Sequence, residues 1–310
     1  MASDLIVIAG PTASGKSDLA LNLAQHLRDA RGVEAEIINA DSVQLYNELK
    51  TLTAYPSDDM LKSIPHRLYG ILSPRETSSV AAWLDLAEKE IARLRKENKT
   101  AIICGGTGFY ISALLNGISN IPKIPQDFRN KVARKFKEVG KDEFFDLLIA
   151  LDPEICGTLN KNDTQRVLRA YEVASFTGKP LSSWQKEGCK AKREASSIVL
   201  LPPRDKLNEK CLLRIEKMIE AGVIDEVRDF VERYPNYDGP LRAAVGYREI
   251  ISFLNNAISL DECVQLISFR TRQYAKRQST WFRNQMKSAK IICEFGSKIA
   301  CDLLIREERD

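Results

Sequence analysis

The run Gly10-Pro11-Thr12-Ala13-Ser14-Gly15-Lys16-Ser17 constrains this chain more than any other feature. It fits the pattern G-x-x-x-x-G-K-[ST] at every fixed position, a pattern whose glycines let backbone N–H groups turn inward around an anion. The flanking residues suit it. Leu5 to Ala9 is a short apolar run that reads as a buried strand, and from Ser17 to Arg28 the apolar residues Leu19, Ala20, Leu23, Ala24 and Leu27 recur at helical spacing. A helix that starts on the loop points its positive end at the same anion. Lys16 brings a formal charge to the terminal phosphates and Ser17 a hydroxyl that suits Mg²⁺. All eight residues, Gly10 to Ser17, are therefore candidates to bind a diphosphate or triphosphate.

The elements that follow predict an α/β fold. Glu34 to Asn39 and Thr100 to Cys104 read as strands, Leu68 to Leu72 as a weaker one, and Val80 to Lys96 as an amphipathic helix. Strands alternating with helices imply a mainly parallel sheet. The texture changes near Asn116: residues 127–185 are helical in pattern with no convincing strand, and Ser196 to Leu201 is strand-like again. The expected organisation is a core formed by residues 1–117 and 196–310, interrupted by a helical insertion at 118–195. The stretch after Leu201, to about Lys290, reads as mostly helical.

Composition narrows the partners only a little. The net charge is +4, which by itself does not argue for nucleic acid. Seven cysteines, none in a C-x-x-C pair, and two histidines, His26 and His66, argue against a disulfide scaffold and a zinc site. The start of the chain lacks the features of a secretion signal, and no apolar run approaches the roughly 18 residues of a membrane span. A cytoplasmic protein with no membrane attachment is expected.

Three further segments carry chemistry. Asn39 to Tyr46 lies just past the second strand, where an open α/β sheet binds ligands. That places Asp41 opposite the phosphate loop, as a metal-linked carboxylate, a general base, or simply a helix cap. Gly105-Gly106-Thr107-Gly108-Phe109-Tyr110 follows the next strand; its small residues allow a ligand or a backbone close by, or form a tight turn. In the insertion, Gln165, Arg166 and Arg169 fall within about one helical turn, a set that suits phosphates and base edges, or else an ordinary exposed helix face. The loop alone also serves kinases, but the strand at Thr100 to Cys104 ends in Cys-Gly-Gly rather than in a carboxylate, which counts mildly against ATP hydrolysis.

Taken in order, these segments resemble the tRNA dimethylallyltransferase family of bacterial type. The phosphate loop is followed by Asp41-Ser42 with Gln44 and Tyr46, then Pro65-His66, Gly105-Gly106-Thr107-Gly108 with Tyr110, and Asn162-Asp163 with Gln165-Arg166. Ala244-Val245-Gly246-Tyr247-Arg248 and Thr271-Arg272-Gln273 through Lys276-Arg277-Gln278 to Trp281 complete the series. The chain departs from the family at Val43, at Leu52-Thr53-Ala54-Tyr55 and at Arg67, where Arg, Gly-Thr-Ala-Lys and a second His are usual. The resemblance implies a P-loop NTPase-like core with a helical tRNA-binding insertion. It implies transfer of a dimethylallyl group from dimethylallyl diphosphate to N6 of the adenine just 3′ of the anticodon, with release of pyrophosphate. In that chemistry Asp41, Thr12 and Lys16 are the catalytic candidates, with Asp41 the proton acceptor, and Mg²⁺ is held near Ser17. Contacts to the tRNA anticodon stem-loop fall to Asp41, Ser42, Val43, Gln44, Thr107, Arg129, Gln165, Arg166, Val167, Leu168 and Arg169. The basic stretch Phe269 to Lys290 adds charge toward a polyanion. A monomer is expected. The rival readings are a P-loop kinase for a nucleoside or small metabolite, an RNA-binding nucleotide switch, and an AMP-prenylating relative.

Overall fold

The computed structural model describes residues 4–187, 193–301 and 304; Cys189 and the last stretch of the insertion, 188–192, lie outside them. The described chain divides into two units, one formed by residues 1–115 and 193–310, the other by 116–192.

The first unit is built on a six-stranded sheet in the order β3-β2-β4-β1-β5-β6, with every pairing parallel. The strands are β1 (Leu5–Ala9), β2 (Ala35–Asn39), β3 (His66–Arg67), β4 (Thr100–Gly105), β5 (Ser196–Leu200) and β6 (Lys290–Ile292). β1, β2 and β4 are buried along their whole length, as strands covered on both faces must be. The side-chain period of two divides them between two cores. Ile6 and Ile8 face Leu19, Leu23 and Leu27 of α1 (Lys16–Arg31). Val7, Ile38, Ile103 and Val199 face the opposite core. The short helices α2 (Lys50–Thr53) and α3 (Asp58–Ser63) follow β2, and α4 (Val80–Lys96) and α5 (Gly108–Asn116) flank β4. Trp83, Ala87, Ile91 and Leu94 of α4 belong to this second core. Ser79 caps α4 by accepting the Ala82 N–H at 3.2 Å, a bond that satisfies one of the free donors of the first turn.

The second unit holds α6 (Gln126–Val139), α7 (Lys141–Leu151), α8 (Thr164–Thr177) and α9 (Leu181–Lys186), with no strand among its described residues. Val132, Phe144, Leu148, Ile155, Val167, Ala170 and Tyr171 form its core. Asp152, fully buried, accepts the Ser182 N–H at 2.9 Å and the Ser182 hydroxyl at 2.5 Å, which ties α9 to the end of α7. The remaining helices, α10 (Arg204–Glu220), α11 (Val223–Arg233), α12 (Tyr247–Leu254) and α13 (Leu260–Gln285), return to the first unit.

Two expectations need correction. The strand anticipated at Leu68 to Leu72 is instead His66–Arg67, because Leu68 adopts a left-handed conformation (φ 60°) that ends the strand. Leu72 makes only an isolated bridge to Tyr46. The basic stretch read as running to Lys290 is helical only to Gln285, and Lys290 opens β6 at the sheet edge.

Candidate active site

The C-terminal ends of β1, β2 and β4 converge on one crevice of about 550 Å³ in the first unit. Thr12, Ala13, Gly15, Lys16 and Ser17 line it from the phosphate loop, and Asp41, Ser42, Val43 and Gln44 from the loop after β2. The phosphate loop turns through two left-handed residues, Ala13 (φ 62°) and Gly15 (φ 79°), and passes directly into α1. Burial lowers the pKa of Lys16, an effect that nearby Asp41 opposes, and its Nζ donates to the Pro11 carbonyl at 3.3 Å.

Asp41 is held by a buried asparagine. Asn39, with no exposed surface, accepts the Asp41 N–H at 2.8 Å and donates its amide to the Asp41 carbonyl and to the Leu68 carbonyl, each at 3.0 Å. Asp41 in turn accepts the Val43 N–H at 3.2 Å through Oδ1. No helix starts there, so of the readings open for Asp41 the helix cap is excluded.

The glycine-rich turn after β4 exists for close approach, and what approaches is the protein itself. A β-carbon on Gly105 would lie 2.2 Å from the Ala40 carbonyl carbon and oxygen. One on Gly106 would lie 2.5 Å from Nε2 of Gln278 and 3.5 Å from Oδ2 of Asp41, and one on Gly108 would overlap the Trp281 ring. Thr107 Oγ1 accepts the Ser42 N–H at 3.0 Å, and the Thr107 N–H donates to the Ala40 carbonyl at 3.1 Å. Thr107 and Ser42 thus bind the two loops to one another.

The sequence-predicted residues separate into two groups, apart from Gly10, Pro11, Ser14 and Thr107, which belong to the first unit but are not among the residues lining the crevice. Thr12, Ala13, Gly15, Lys16, Ser17, Asp41, Ser42, Val43 and Gln44 share the crevice. Gln44 spends its amide N–H groups on the Thr53 and Ala54 carbonyls, at 3.0 and 2.7 Å, and so braces α2. Arg129, Gln165, Arg166, Val167, Leu168 and Arg169 all lie in the second unit. There Arg129 and Arg169 share Glu172, at 3.8 and 3.4 Å, and Arg166 pairs with Asp163 at 3.2 Å. Val167 is a correction: the residue is 1% exposed, packed in the core of that unit, and its N–H donates to the Asp163 carbonyl at 2.9 Å, so it presents no free surface to an RNA. Leu168 packs, half-buried, against the same core. Of the family departures, Arg67 has a local reason, since its Nε donates to buried Glu36 at 2.6 Å. Tyr55 meets the edge of Tyr69, which lines the crevice, with ring centres 5.7 Å apart.

Sequence reasoning missed Arg214 and the role of Gln278. Arg214 Nη1 donates to Thr12 Oγ1 at 2.8 Å, and burial lowers the arginine's pKa against the pull of Asp41. The signal was available: Lys210, Arg214 and Lys217 recur at helical spacing on α10, and all three line the crevice. Gln278 accepts the Thr12 N–H through Oε1 and donates to the Gly106 carbonyl through Nε2, both at 2.8 Å. One amide therefore joins the phosphate loop to the glycine turn. At the end of β4, burial pushes the Cys104 thiol up to about 11, and Ser17 hydrogen-bonds to it. Part of the remaining wall is apolar, formed by Leu52, Ile215, Met218, Ala244, Val245 and Ile267, while Asp18, Thr53, Thr271, Tyr274 and Ser297 add polar groups elsewhere.

The family model described as IPP transferase matches residues 44–285. The tRNA dimethylallyltransferase of Pelagibacter ubique is 43% identical over 92% of this chain and 90% of its own length. That of a Caulobacter species is 41% identical over 91% and 90%. Among solved structures, the tRNA isopentenylpyrophosphate transferase of Bacillus halodurans superposes with a TM-score of 0.67 at 30% identity, covering 98% of this chain and 93% of that one. A eukaryotic dimethylallyltransferase acting on tRNA gives a TM-score of 0.79 at 25% identity, covering 93% of this chain and 73% of that one. With a P-loop NTPase-like core and this similarity along nearly its whole length, the chain belongs to the IPP transferase family.

Proposed function

We propose that this crevice transfers a dimethylallyl group from dimethylallyl diphosphate to N6 of the adenine 3′-adjacent to the anticodon in tRNA, releasing pyrophosphate. The carrying observation is that a phosphate cradle, the Asp41 carboxylate and an apolar wall all open onto one cavity. The cradle receives a diphosphate, the wall receives a five-carbon tail, and the carboxylate receives a proton. Relatives bearing the name tRNA dimethylallyltransferase support the same reading.

In the reaction the bond between the allylic carbon and the diphosphate oxygen breaks, and its electron pair leaves with pyrophosphate. The N6 lone pair forms the new C–N bond, and the N6 proton, made acidic by that bond, passes to Asp41. Charge growing on the leaving group is met by the loop N–H groups, by Lys16 and by Arg214, fixed in advance of the reaction; such preorganised electrostatics are usually the largest catalytic contribution. Arg214 also fills the acceptor side of Thr12, which leaves the Thr12 hydroxyl proton for the substrate. The Ser17 hydroxyl is a hard oxygen donor in the same crevice; with phosphate oxygens and water it would hold Mg²⁺, and the ion would supply positive charge beside the pyrophosphate.

The adenine must leave its stack to reach the crevice. Beside the crevice lies a second cleft, of about 250 Å³, lined by Arg242, Arg248, Gln273, Arg277 and the ion pair of Arg270 with Glu249. It offers guanidinium groups to backbone phosphates, and Arg129, Gln165, Arg166 and Arg169 of the second unit are further contacts in this reading. A cytoplasmic monomer completes the proposal; among the described residues no helix is long and apolar enough to cross a membrane.

The test is to incubate the protein with labelled dimethylallyl diphosphate and either unmodified tRNA or AMP, and to follow the label. Label in tRNA supports the reading; label in AMP alone, or phosphorylation of an acceptor by ATP instead, overturns it. In the same assay Asp41→Ala is expected to lower turnover about 10²–10⁴-fold while tRNA affinity holds. Near-full turnover in that variant removes Asp41 as the base.

A further inference from the structure

Beyond β6 the chain turns back over the phosphate loop. β6 runs parallel to β5, with Val199 opposite Ile291, so the residues after Ile292 emerge at the same end of the sheet as Gly10 to Ser17. Phe295 packs with Ala13 of the loop and with Leu207, Cys211 and Ala275 of α10 and α13. The Gly296 N–H donates to the Ser14 carbonyl at 3.0 Å. The two backbones touch: a β-carbon on Gly296 would lie 2.0 Å from the Gly15 carbonyl oxygen, and one on Gly15 would lie 2.9 Å from the Gly296 nitrogen. Ser297, the next residue, lines the crevice together with Lys16 and Ser17.

This contact falls where the loop most needs support. Ser14 sits between the left-handed residues Ala13 and Gly15, and a non-glycine residue in that conformation persists only when its surroundings hold it there. For the loop N–H groups to converge on a phosphate, the carbonyls between them must be turned away and fixed. Gly296 fixes that of Ser14, one residue before Gly15 and two before Lys16.

We propose that Phe295–Ser297 is a positioning clamp for the phosphate loop, hinged on the bond between Gly296 and Ser14, and that capture of the diphosphate depends on it. The inference rests on the proposed diphosphate substrate. Its test uses the full-length chain carrying Gly296→Ala, whose added methyl must push the loop aside, and separately Phe295→Ala, which removes the ring behind Ala13. A misplacement of the cradle by around 1 Å is expected to raise KM for dimethylallyl diphosphate at least about tenfold in Gly296→Ala. The rise should exceed the fall in kcat, and inorganic pyrophosphate should bind more weakly by calorimetry, with tRNA affinity unchanged. Phe295→Ala shifts KM the same way by less. Unchanged KM and pyrophosphate affinity in both variants overturns the clamp, as does an equal loss of tRNA affinity, which marks general loosening. Should Gly296→Ala fail to fold, Phe295→Ala decides. If the wild-type protein leaves tRNA unlabelled, the transfer reading fails, while pyrophosphate calorimetry on the same variants still judges the clamp.

Discussion

At the scale of single residues, the site is shaped by absent side chains as much as by present ones. Gly105 lets β4 lie against Ala40, the residue before the proposed base, with no space for a methyl group. Gly105→Ala is therefore expected to displace the Asp41 loop and to lower turnover about 100-fold. Overpacking of this kind costs stability by about 1–3 kcal/mol. Paired turnover and thermal-unfolding measurements check this, and turnover within a few-fold of wild type would show that the loop yields without harm. The sequence displayed the glycines but not their partner, because Ala40 lies far back in the chain and nothing local marks it. Asp41 was legible from its place after an apolar strand. Arg214 was not, because on α10 it is one cation among several, and only the tertiary fold singles it out.

At the scale of elements, periodicity found what is long and amphipathic. The helix expected over Val80 to Lys96 has those bounds, and α1 extends one residue earlier and three later than anticipated. It failed where an element is too short to show a period. β6 has three residues and follows a basic helix, so only its pairing with β5 reveals it. Burial and charge set another limit, at Glu36. In β2, at the opposite end of the strand from the crevice, this residue is 2% exposed and draws together β3 and α4. Arg67 and Arg93 each reach its Oε2 at 2.6 Å, and Lys99 its Oε1 at 3.5 Å. Burial alone would raise the Glu36 pKa; hydrogen bonds from Arg67 and Arg93 outweigh it and hold the group below its ordinary 4.5. A depressed carboxylate stabilises the fold fully above its unfolded pKa and loses that contribution as pH falls through the folded one. Glu36→Gln should then cost about 1–3 kcal/mol at pH 7, hydrogen bonds to charged groups being worth that much. The gap from wild type should narrow as the pH drops below 4.5. Denaturant melts at pH 7 and pH 4 measure it, and a gap that is constant with pH would show that the charge contributes nothing.

At the scale of the whole molecule, the charge that matters is arranged rather than abundant. The net charge is +4, yet on α13 the residues Ile267, Thr271, Tyr274 and Gln278 turn inward, while Arg270, Arg272, Lys276, Arg277 and Arg283 are exposed. Neutralising several phosphates releases as many counterions, so tRNA affinity should fall by about 10³-fold or more between 50 and 200 mM salt if six or more are contacted. Filter-binding across that range tests it, and a flat dependence removes the footprint. The bond between Thr12 and Gln278 joins positions 266 residues apart, and chains fold from the N-terminus as they are synthesised. A nascent chain on the ribosome thus displays its phosphate loop and its glycine turn long before the amide that ties them together has been made. The second unit, residues 116–192, is complete while the first still lacks β5, β6 and the four helices α10 to α13. The crevice is completed after the second unit, so an enzyme of this build begins to act on tRNA only once tRNA has supplied every helix from α1 to α13 for its own fold.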